Sequence, residues 1–335
     1  MNIYFNRAFT TTAEVIKLLK KDMENFNEKV NIFISTNIEN FYLKDVADYF
    51  FLEPEQYSEE EYAAFCLDFC KTNKIDIFIP RNYAPILSKY ADEFKTLGTK
   101  VLFVGDQEMY KLIDDKAGLY TRLKDVEGVY IPPYSLVSNY TEFVKAYTNI
   151  LVEGFKACIK PNTGIGGQGY RKIEDISDYE EFLKYAPNIV SLSRLKELFL
   201  NNEMELYLLS GHLNGKEFSV DCLAKDGELV EAIPRYRIDK YTQKIENNEE
   251  LIEISKIITK ELKLSNLYNI QFKYHNDKPY LIEINSRMSG GIYKSCIGGT
   301  NLLHHAILLN EGMPFESSLN KLETKLVRNN VGVFV

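Results

Sequence analysis

The chain predicts an α/β protein of two or three packed subdomains, on three observations. Short apolar strands alternate with amphipathic helices over residues 1–105. Pro132-Pro133 breaks a helical stretch and opens an extended one. A strand pair near 267–285 carries polar residues on one face and apolar residues on the other. At 335 residues the chain is too long for one small core.

Taken in order, Ile3-Tyr4-Phe5, Val30-Asn31-Ile32-Phe33-Ile34, Ile75-Asp76-Ile77-Phe78-Ile79 and Lys100-Val101-Leu102-Phe103-Val104 read as strands. Thr12 to Phe26 reads as a helix with Val15, Leu18, Leu19 and Phe26 on one side. Such alternation implies a parallel sheet covered on both faces. Strand ends of these sheets build ligand crevices, so Asn6-Arg7, Ser35-Thr36-Asn37 and Pro80-Arg81-Asn82 are candidate substrate loops. Taken singly, each is better explained as an ordinary polar strand end. Cys66 and Cys70, four apart, read as a buried helix face. With Cys158, Cys222 and Cys296 they show no zinc-ligand spacing and are expected as free thiols.

Gly105-Asp106 starts a linking helix that runs to about Val126. Residues 134–210 form a small α/β unit around a glycine-rich stretch. From 211 onward the pattern is a strand at Glu217 to Ala224, a turn at Lys225-Asp226-Gly227, a second strand, and a helix near 249–262 with Leu251, Ile254, Ile258 and Leu262 on its apolar face. The strand pair runs from Leu267 to Tyr274 and from Pro279 to Asn285 about a turn at Asn276-Asp277. The boundaries expected are therefore 1–105 and 106–335, the second part divided into a lid at 134–210 and a lobe at 211–335.

Composition narrows the function. Net charge is −8 and there is no basic run, which argues against nucleic acid as the main partner. No apolar run approaches the roughly 20 residues that span a bilayer. Met1-Asn2-Ile3-Tyr4-Phe5-Asn6-Arg7 lacks the order of a signal peptide, so a cytoplasmic location is expected.

Four stretches carry chemistry. In Cys158-Ile159-Lys160-Pro161-Asn162-Thr163-Gly164-Ile165-Gly166-Gly167-Gln168-Gly169-Tyr170, a strand ends in Lys-Pro and four glycines fall within six residues. Glycine lets backbone N–H groups approach an anion closely, and the lysine adds a point charge for phosphate. No Gly-Lys-Ser/Thr follows, so this is not a Walker loop. In Asn269-Ile270-Gln271-Phe272-Lys273 and Pro279 to Arg287, alternation places Gln271 and Lys273 on one face, and Glu283, Asn285 and Arg287 on one face of the returning strand. A carboxylate and two carboxamide oxygens then converge, the hard donors that Mg²⁺ prefers. Gly215-Lys216-Glu217-Phe218-Ser219-Val220-Asp221 enters a strand after a hinge-like segment, Leu208 to Asn214. Such a hinge offers backbone groups to an adenine edge, and a carboxylate beyond it can accept ribose hydroxyls. The fourth stretch, Asp115-Lys116 on the linking helix, reads by itself as a surface pair.

In this order the four stretches resemble the ATP-grasp superfamily, closest in style to carbamoyl-phosphate synthetase large subunits, biotin carboxylase and stand-alone carboxylate–amine ligases. The resemblance covers nearly the whole chain. It implies an ATP-grasp fold with α+β lobes: a Rossmann-like preATP-grasp domain at 1–105, then a lid and a C-terminal lobe. It implies that Lys116 and Lys160 contact ATP phosphates and that Gly164, Gly166, Gly167, Gln168 and Gly169 fold over them. Backbone groups near Leu209 to His212 would contact adenine, and Glu217 would take the ribose. Glu283 and Asn285 would bind Mg²⁺, with Gln271 at a metal-ligand position that is acidic in many relatives. Arg287, Lys160 and Arg235 would serve the chemistry, Arg287 by stabilising an acyl phosphate. Arg237 and Gly290-Gly291 would lie near the substrate. Departures are a hinge without the usual Glu-rich adenine segment, and no evident bicarbonate residues or biotin-carrier motif.

The activity implied is an ATP-dependent carboxylate–amine or carboxylate–thiol ligase that works through an acyl phosphate and releases ADP and phosphate. Its cofactors are ATP and one or two Mg²⁺, with Mn²⁺ as a substitute. The partners implied are a small carboxylate and an amine, with no nucleic acid or membrane, and a homodimer is compatible. The alternatives are a phosphotransferase acting on a hydroxyl and a non-catalytic nucleotide-binding subunit.

Overall fold

β1 (Asn2–Asn6) shows how the first sheet is made. In the computed structural model, which describes residues 1–25, 29–39, 41–53, 58–164, 169–174, 188–201, 206–319 and 321–328, Ile3 and Phe5 enter one hydrophobic core and Tyr4 enters another. Period-two alternation with apolar residues on both sides is what a strand needs when both its faces are covered. β2 (Asn31–Thr36) repeats it: Ile32 and Ile34 join the first core and Phe33 the second. With β3 (Tyr49–Leu52), β4 (Ile77–Phe78) and β5 (Lys100–Val101), these strands form a parallel sheet of order β3-β2-β1-β4-β5. Helix α1 (Thr11–Asn25) buries Val15, Ile16 and Leu19 in the first core and leaves Leu18 at its margin; Phe26 lies outside the described residues. The helix Glu59–Thr72 buries Cys66 and Cys70 in the second core, as their spacing predicts. All five cysteines are free and buried.

By compactness the chain divides into two units. One takes in Met1–Lys111, Phe218–Ile270 and Ile284–Val335; the other takes in Leu112–Glu217 and Gln271–Glu283. This division differs from a cut at residue 105. The first core is shared: Ile3, Phe5 and the α1 residues lie in one cluster with Leu223, Ile233, Ile292, Leu302, Leu303 and Ile307. Local sequence pattern does not reveal a core assembled from both ends of the chain.

Within the first unit, β11 (Glu217–Lys225) and β12 (Glu228–Arg237) form the expected hairpin about Asp226-Gly227, both at positive φ. The full sheet runs β15-β14-β11-β12-β13-β16, where β13 is Thr242–Ile245, β14 Asn266–His275, β15 Lys278–Asn285 and β16 Lys325–Arg328. Glu217 of β11 and residues 271–283 of β14, β15 and their turn are counted with the second unit. Asn276 and Asp277 both take positive φ, the demand of a tight two-residue hairpin turn. The helix Glu249–Leu262 buries Leu251, Ile254, Ile258 and Leu262 as its periodicity predicts, and Asn248 caps it by accepting from Leu251 N.

Within the second unit, β6 (Tyr134–Val137), β7 (Lys156–Pro161), β8 (Arg171–Glu174), β9 (Ile189–Ser191) and β10 (Tyr207–His212) form a sheet of order β6-β10-β7-β8-β9. The helices Tyr140–Val152 and Leu192–Leu200 share a core with Ala157, Ile159 and Leu209 of that sheet. Two expectations are corrected here. The linking segment is two helices, Gln107–Asp114 and Lys116–Leu123; Asp115 is extended and caps the second by accepting from Gly118 N at 3.0 Å. The hinge expected at Leu208 to Asn214 is mostly strand, because β6 and β7 pair with β10 on both sides. Gly211 reads as a breaker but serves packing: a Cβ there would lie 2.8 Å from Phe155 Cδ1. No helix among the described residues is long and apolar enough to cross a membrane.

Candidate active site

Alternation along β7 sends Ala157 and Ile159 into the core of the second unit and Cys158 and Lys160 to the opposite face. The antiparallel register then sets Leu208 beside Lys160, Ser210 beside Cys158 and His212 beside Lys156 on β10. Lys160 Nζ donates to Tyr120 Oη at 3.1 Å, and Tyr120 Oη donates to the carbonyl of Ile282 at 2.6 Å. Burial alone would lower the pKa of Lys160, but Tyr120, Cys158 and Glu283 outweigh it and hold the ammonium charged. Lys116, only 7% exposed, is pushed the other way by burial and by Lys160, while Glu283, Asp114 and Asp115 oppose the fall. Two lysines and one carboxylate thus share one electrostatic neighbourhood.

The glycine-rich loop is anchored to the start of the helix Lys116–Leu123. Lys116 Nζ donates to the Gly164 carbonyl at 2.7 Å, Ala117 N to Asn162 Oδ1 at 2.9 Å, and Asn162 Nδ2 to Asp115 Oδ1 at 2.7 Å. The Asp115-Lys116 pair is therefore the foot of the loop, with Lys116 buried and Asp115 half-buried, and not a surface pair. Gly169 closes the loop at φ +74°, where an added Cβ would lie 2.7 Å from Pro161 Cδ, so only glycine fits without strain. Gly166, Gly167 and Gln168 lie outside the described residues.

Leu209 is buried in the core on the far face of the sheet, and its backbone lies in the ladder with β6 and β7. Leu208 and His212 stand on the other face of the sheet. His212 Nδ1 shares a 2.6 Å hydrogen bond with Tyr170 Oη. Burial, then Lys172 and Lys273, lower the His212 pKa to about 4, so the ring is neutral at pH 7. Glu217 is exposed and pairs with Lys273 at 3.5 Å.

Of the expected metal donors, Gln271 and Glu283 belong to the second unit and Asn285 to the first. Glu283 is buried. Asn285 Nδ2 lies 3.5 Å from Asn269 Oδ1, and the Asn269 amide in turn donates to Asp221 Oδ1 and Ser219 Oγ, both at 2.8 Å. No group of three His, Cys, Asp or Glu residues among the described residues is arranged to hold a metal. One carboxylate and amide oxygens fit Mg²⁺, which keeps phosphate oxygens and water for much of its shell.

In the first unit Arg235 is buried and already engaged. Its Nε donates to Asp221 Oδ2 at 2.9 Å and Ser295 Oγ at 3.1 Å, its Nη1 to Gln243 Oε1 at 2.9 Å, and its Nη2 to Ser289 Oγ at 2.8 Å. That is the environment of a positioning residue for the 285–291 loop. Arg287 Cζ lies 6.0 Å from the Phe9 ring centroid, and Arg81 Cζ lies 5.9 Å from the same ring. Arg237 is exposed at the end of β12. Sequence reasoning missed Tyr120, Tyr170 and Asn162, whose hydrogen bonds join residues far apart in the chain. It named Arg81 only as part of a strand-end loop.

A family model described as "ATP-grasp in the biosynthetic pathway with Ter operon" matches residues 203–331. The C-terminal section of the carbamoyl phosphate synthase large chain of Aquifex aeolicus is 26% identical over 202 residues, covering 57% of this chain and 35% of that protein. The chain spans about a third of that relative's length and under a fifth of the full-length large chains it matches. Among solved structures, N5-carboxyaminoimidazole synthetase from Staphylococcus aureus complexed with ADP superposes with a TM-score of 0.68 at 16% identity, covering 99% of this chain and 82% of that one. A biotin carboxylase nucleotide complex from Campylobacter jejuni gives 0.66 at 17% identity, covering 98% and 73%. At these identities the structural likeness is one of fold.

Proposed function

We propose that this chain is a member of the ATP-grasp superfamily, a reading that its likenesses support, and that it is an ATP-dependent carboxylate–amine ligase working through an acyl phosphate. One observation carries the reading: Lys116, Lys160 and Glu283, from three separated motifs, fall within one electrostatic neighbourhood at the foot of the glycine-rich loop. Two ammonium groups and a carboxylate there suit a triphosphate and its cation.

A carboxylate resists attack because its charge is delocalised and oxide is a poor leaving group. Transfer of the γ-phosphoryl group cures both: a carboxylate oxygen bonds to γ-phosphorus, the bond to the β–γ bridging oxygen breaks, and ADP leaves. The amine nitrogen then bonds to the carbonyl carbon, phosphate departs, and the nitrogen loses a proton. Lys160 and Lys116 bind and orient the phosphates, and Arg287 offsets charge on the transferring group. The loop between Gly164 and Gly169 excludes water that would hydrolyse the anhydride. Glu283, Asn285 and Gln271 would hold one or two Mg²⁺, with Mn²⁺ as a substitute, which neutralise phosphate charge. Glu217 takes the ribose, and His212 beside Leu208 the base.

The test is phosphate release from ATP across pairs of carboxylic acids and amines, with hydroxylamine as a trap. The expected result is acid-dependent ADP formation and a hydroxamate in place of product. ADP formation with a phosphorylated hydroxyl compound and no hydroxamate identifies a phosphotransferase. Nucleotide binding without turnover on any pair identifies a non-catalytic subunit.

A further inference from the structure

Tyr120 is fully buried on the helix Lys116–Leu123, and its hydroxyl joins two strands. It accepts from Lys160 Nζ on β7 at 3.1 Å and donates to the Ile282 carbonyl on β15 at 2.6 Å. All three residues belong to the second unit. Ile282 alone satisfies the buried hydroxyl, so packing does not demand the bond to Lys160. For Lys160 the same bond matters more: among the described residues it is the only hydrogen bond that Nζ makes. A four-carbon stem with one fixed point has its ammonium placed by that point. A phenol has one proton, and Ile282 takes it, so the oxygen facing Lys160 can only accept. Such an acceptor favours an ammonium over a neutral amine. Burial, against the pull of Lys160, pushes the Tyr120 phenol up, so it keeps its proton at neutral pH. Tyr120, Cys158 and Glu283 hold the charge on Lys160, and Lys116 stands near enough to be depressed by that charge.

We propose that Tyr120 is a positioning residue: its hydroxyl fixes the Lys160 ammonium against the β15 backbone beside Glu283, so that the phosphate-binding cation and the carboxylate that would hold Mg²⁺ keep one spacing before nucleotide arrives. The roles of Lys160 and Glu283 rest on the reading above; the bridge itself rests on the geometry. Tyr120 acts through Lys160 and is not a catalytic residue. Its value lies in preorganisation, because a cation already in place costs no reorganisation when charge moves.

Tyr120→Phe removes the hydroxyl and keeps the ring. On the full chain, kcat/KM for ATP is read by ADP release and affinity for MgATP by calorimetry, in Tyr120→Phe, in Lys160→Met and in the double variant. Tyr134→Phe is the control: its ring packs edge-on to Tyr120 at 5.2 Å, and its hydroxyl shares a 2.7 Å hydrogen bond with Thr121. Tyr120→Phe is expected to lower kcat/KM for ATP about 10-fold, or MgATP affinity by as much in a chain that binds without turnover, the size of one hydrogen bond to a charged group. In the Lys160→Met background the same substitution is expected to change either quantity less than about 2-fold, because side chains that act as one unit are not additive. Tyr134→Phe is expected to stay within about 2-fold of its parent. Parent-like values in Tyr120→Phe, an equal loss with and without Lys160, or an equal loss in Tyr134→Phe overturns the proposal. A melting midpoint lowered by more than about 8 °C in Tyr120→Phe marks the hydroxyl as structural and also overturns it. Lys160→Met separates the bridge from the reading beneath it. Parent-like values in Lys160→Met remove the phosphate role of Lys160 and the bridge with it. A loss in Lys160→Met with none in Tyr120→Phe keeps the phosphate role and removes the bridge.

Discussion

Lys160 illustrates what a side chain's surroundings add to its identity. Its place before Pro161 is legible in sequence, but the Tyr120 hydroxyl that orients it and the Glu283 charge that helps keep it protonated are not, because they lie 40 and more than 100 residues away. Lys160→Ala or Glu283→Ala is expected to lower turnover at least ~10²-fold, as loss of an electrostatic stabiliser does; steady-state ADP release checks it, and near-wild-type rates would refute both roles. The Arg235–Asp221 pair poses the opposite question, of stability. Asp221 is fully buried and accepts from Arg235 Nε, Ser295 Oγ and Asn269 Nδ2. Asp221→Ala strands a buried guanidinium and should cost about 3–5 kcal/mol in urea unfolding. The double variant with Arg235→Met should recover much of that loss, and no recovery would mean that the cation is not what suffers. His212 gives a pH signature. Its folded pKa of about 4 lies below its ordinary value of 6.5. As pH falls through that window the unfolded chain takes up a proton that the folded chain refuses, so stability is lost from 6.5 downward. His212→Gln should flatten the pH dependence of the melting midpoint between those limits, and an unchanged slope would show that other groups set it.

Elements were legible where local chemistry decides them. Asn276-Asp277 dictates a hairpin turn because both positions need positive φ, and the Leu251, Ile254, Ile258 and Leu262 spacing dictates a helix face. They were illegible where partners decide them. β3 escaped notice because a four-residue edge strand has too few residues to show a period. β10 escaped because Ser210-Gly211 mimics a hinge until β6 and β7 are known to flank it. The glycine-rich loop combines both cases: composition announced it, while its anchoring through Asn162 and Lys116 needed the fold. That anchoring makes the loop's closing residue sensitive. Gly169→Ala forces a Cβ toward Pro161 at a φ costing roughly 1–2 kcal/mol for an L-residue. The expected result is a several-fold higher KM for ATP with a small drop in melting temperature. Unchanged ATP kinetics would mean that the loop's closure does not depend on that turn.

At the scale of the whole molecule, chain order and compactness part company. Residues 1–105 read as an independent domain, since their strand–helix alternation is complete and, among the described residues, their five strands pair only with one another. Their core is not complete. α1 lies in one hydrophobic cluster with Ile292, Leu302, Leu303, Ala306 and Ile307, all from the far end of the sequence. Covering an aliphatic side chain contributes about 1.5–3 kcal/mol. Removing the C-terminal helices would uncover several on α1, a loss of the same order as the 5–15 kcal/mol typical of a domain's net stability. A fragment of residues 1–111 is therefore expected to keep some helical signal but to lack a cooperative thermal transition and to bind a hydrophobic dye. The intact chain is expected to melt cooperatively under the same conditions. A sharp, reversible transition in the fragment, with dispersed amide resonances, would show that the first sheet and α1 suffice, and that the shared cluster adds docking to a domain already folded.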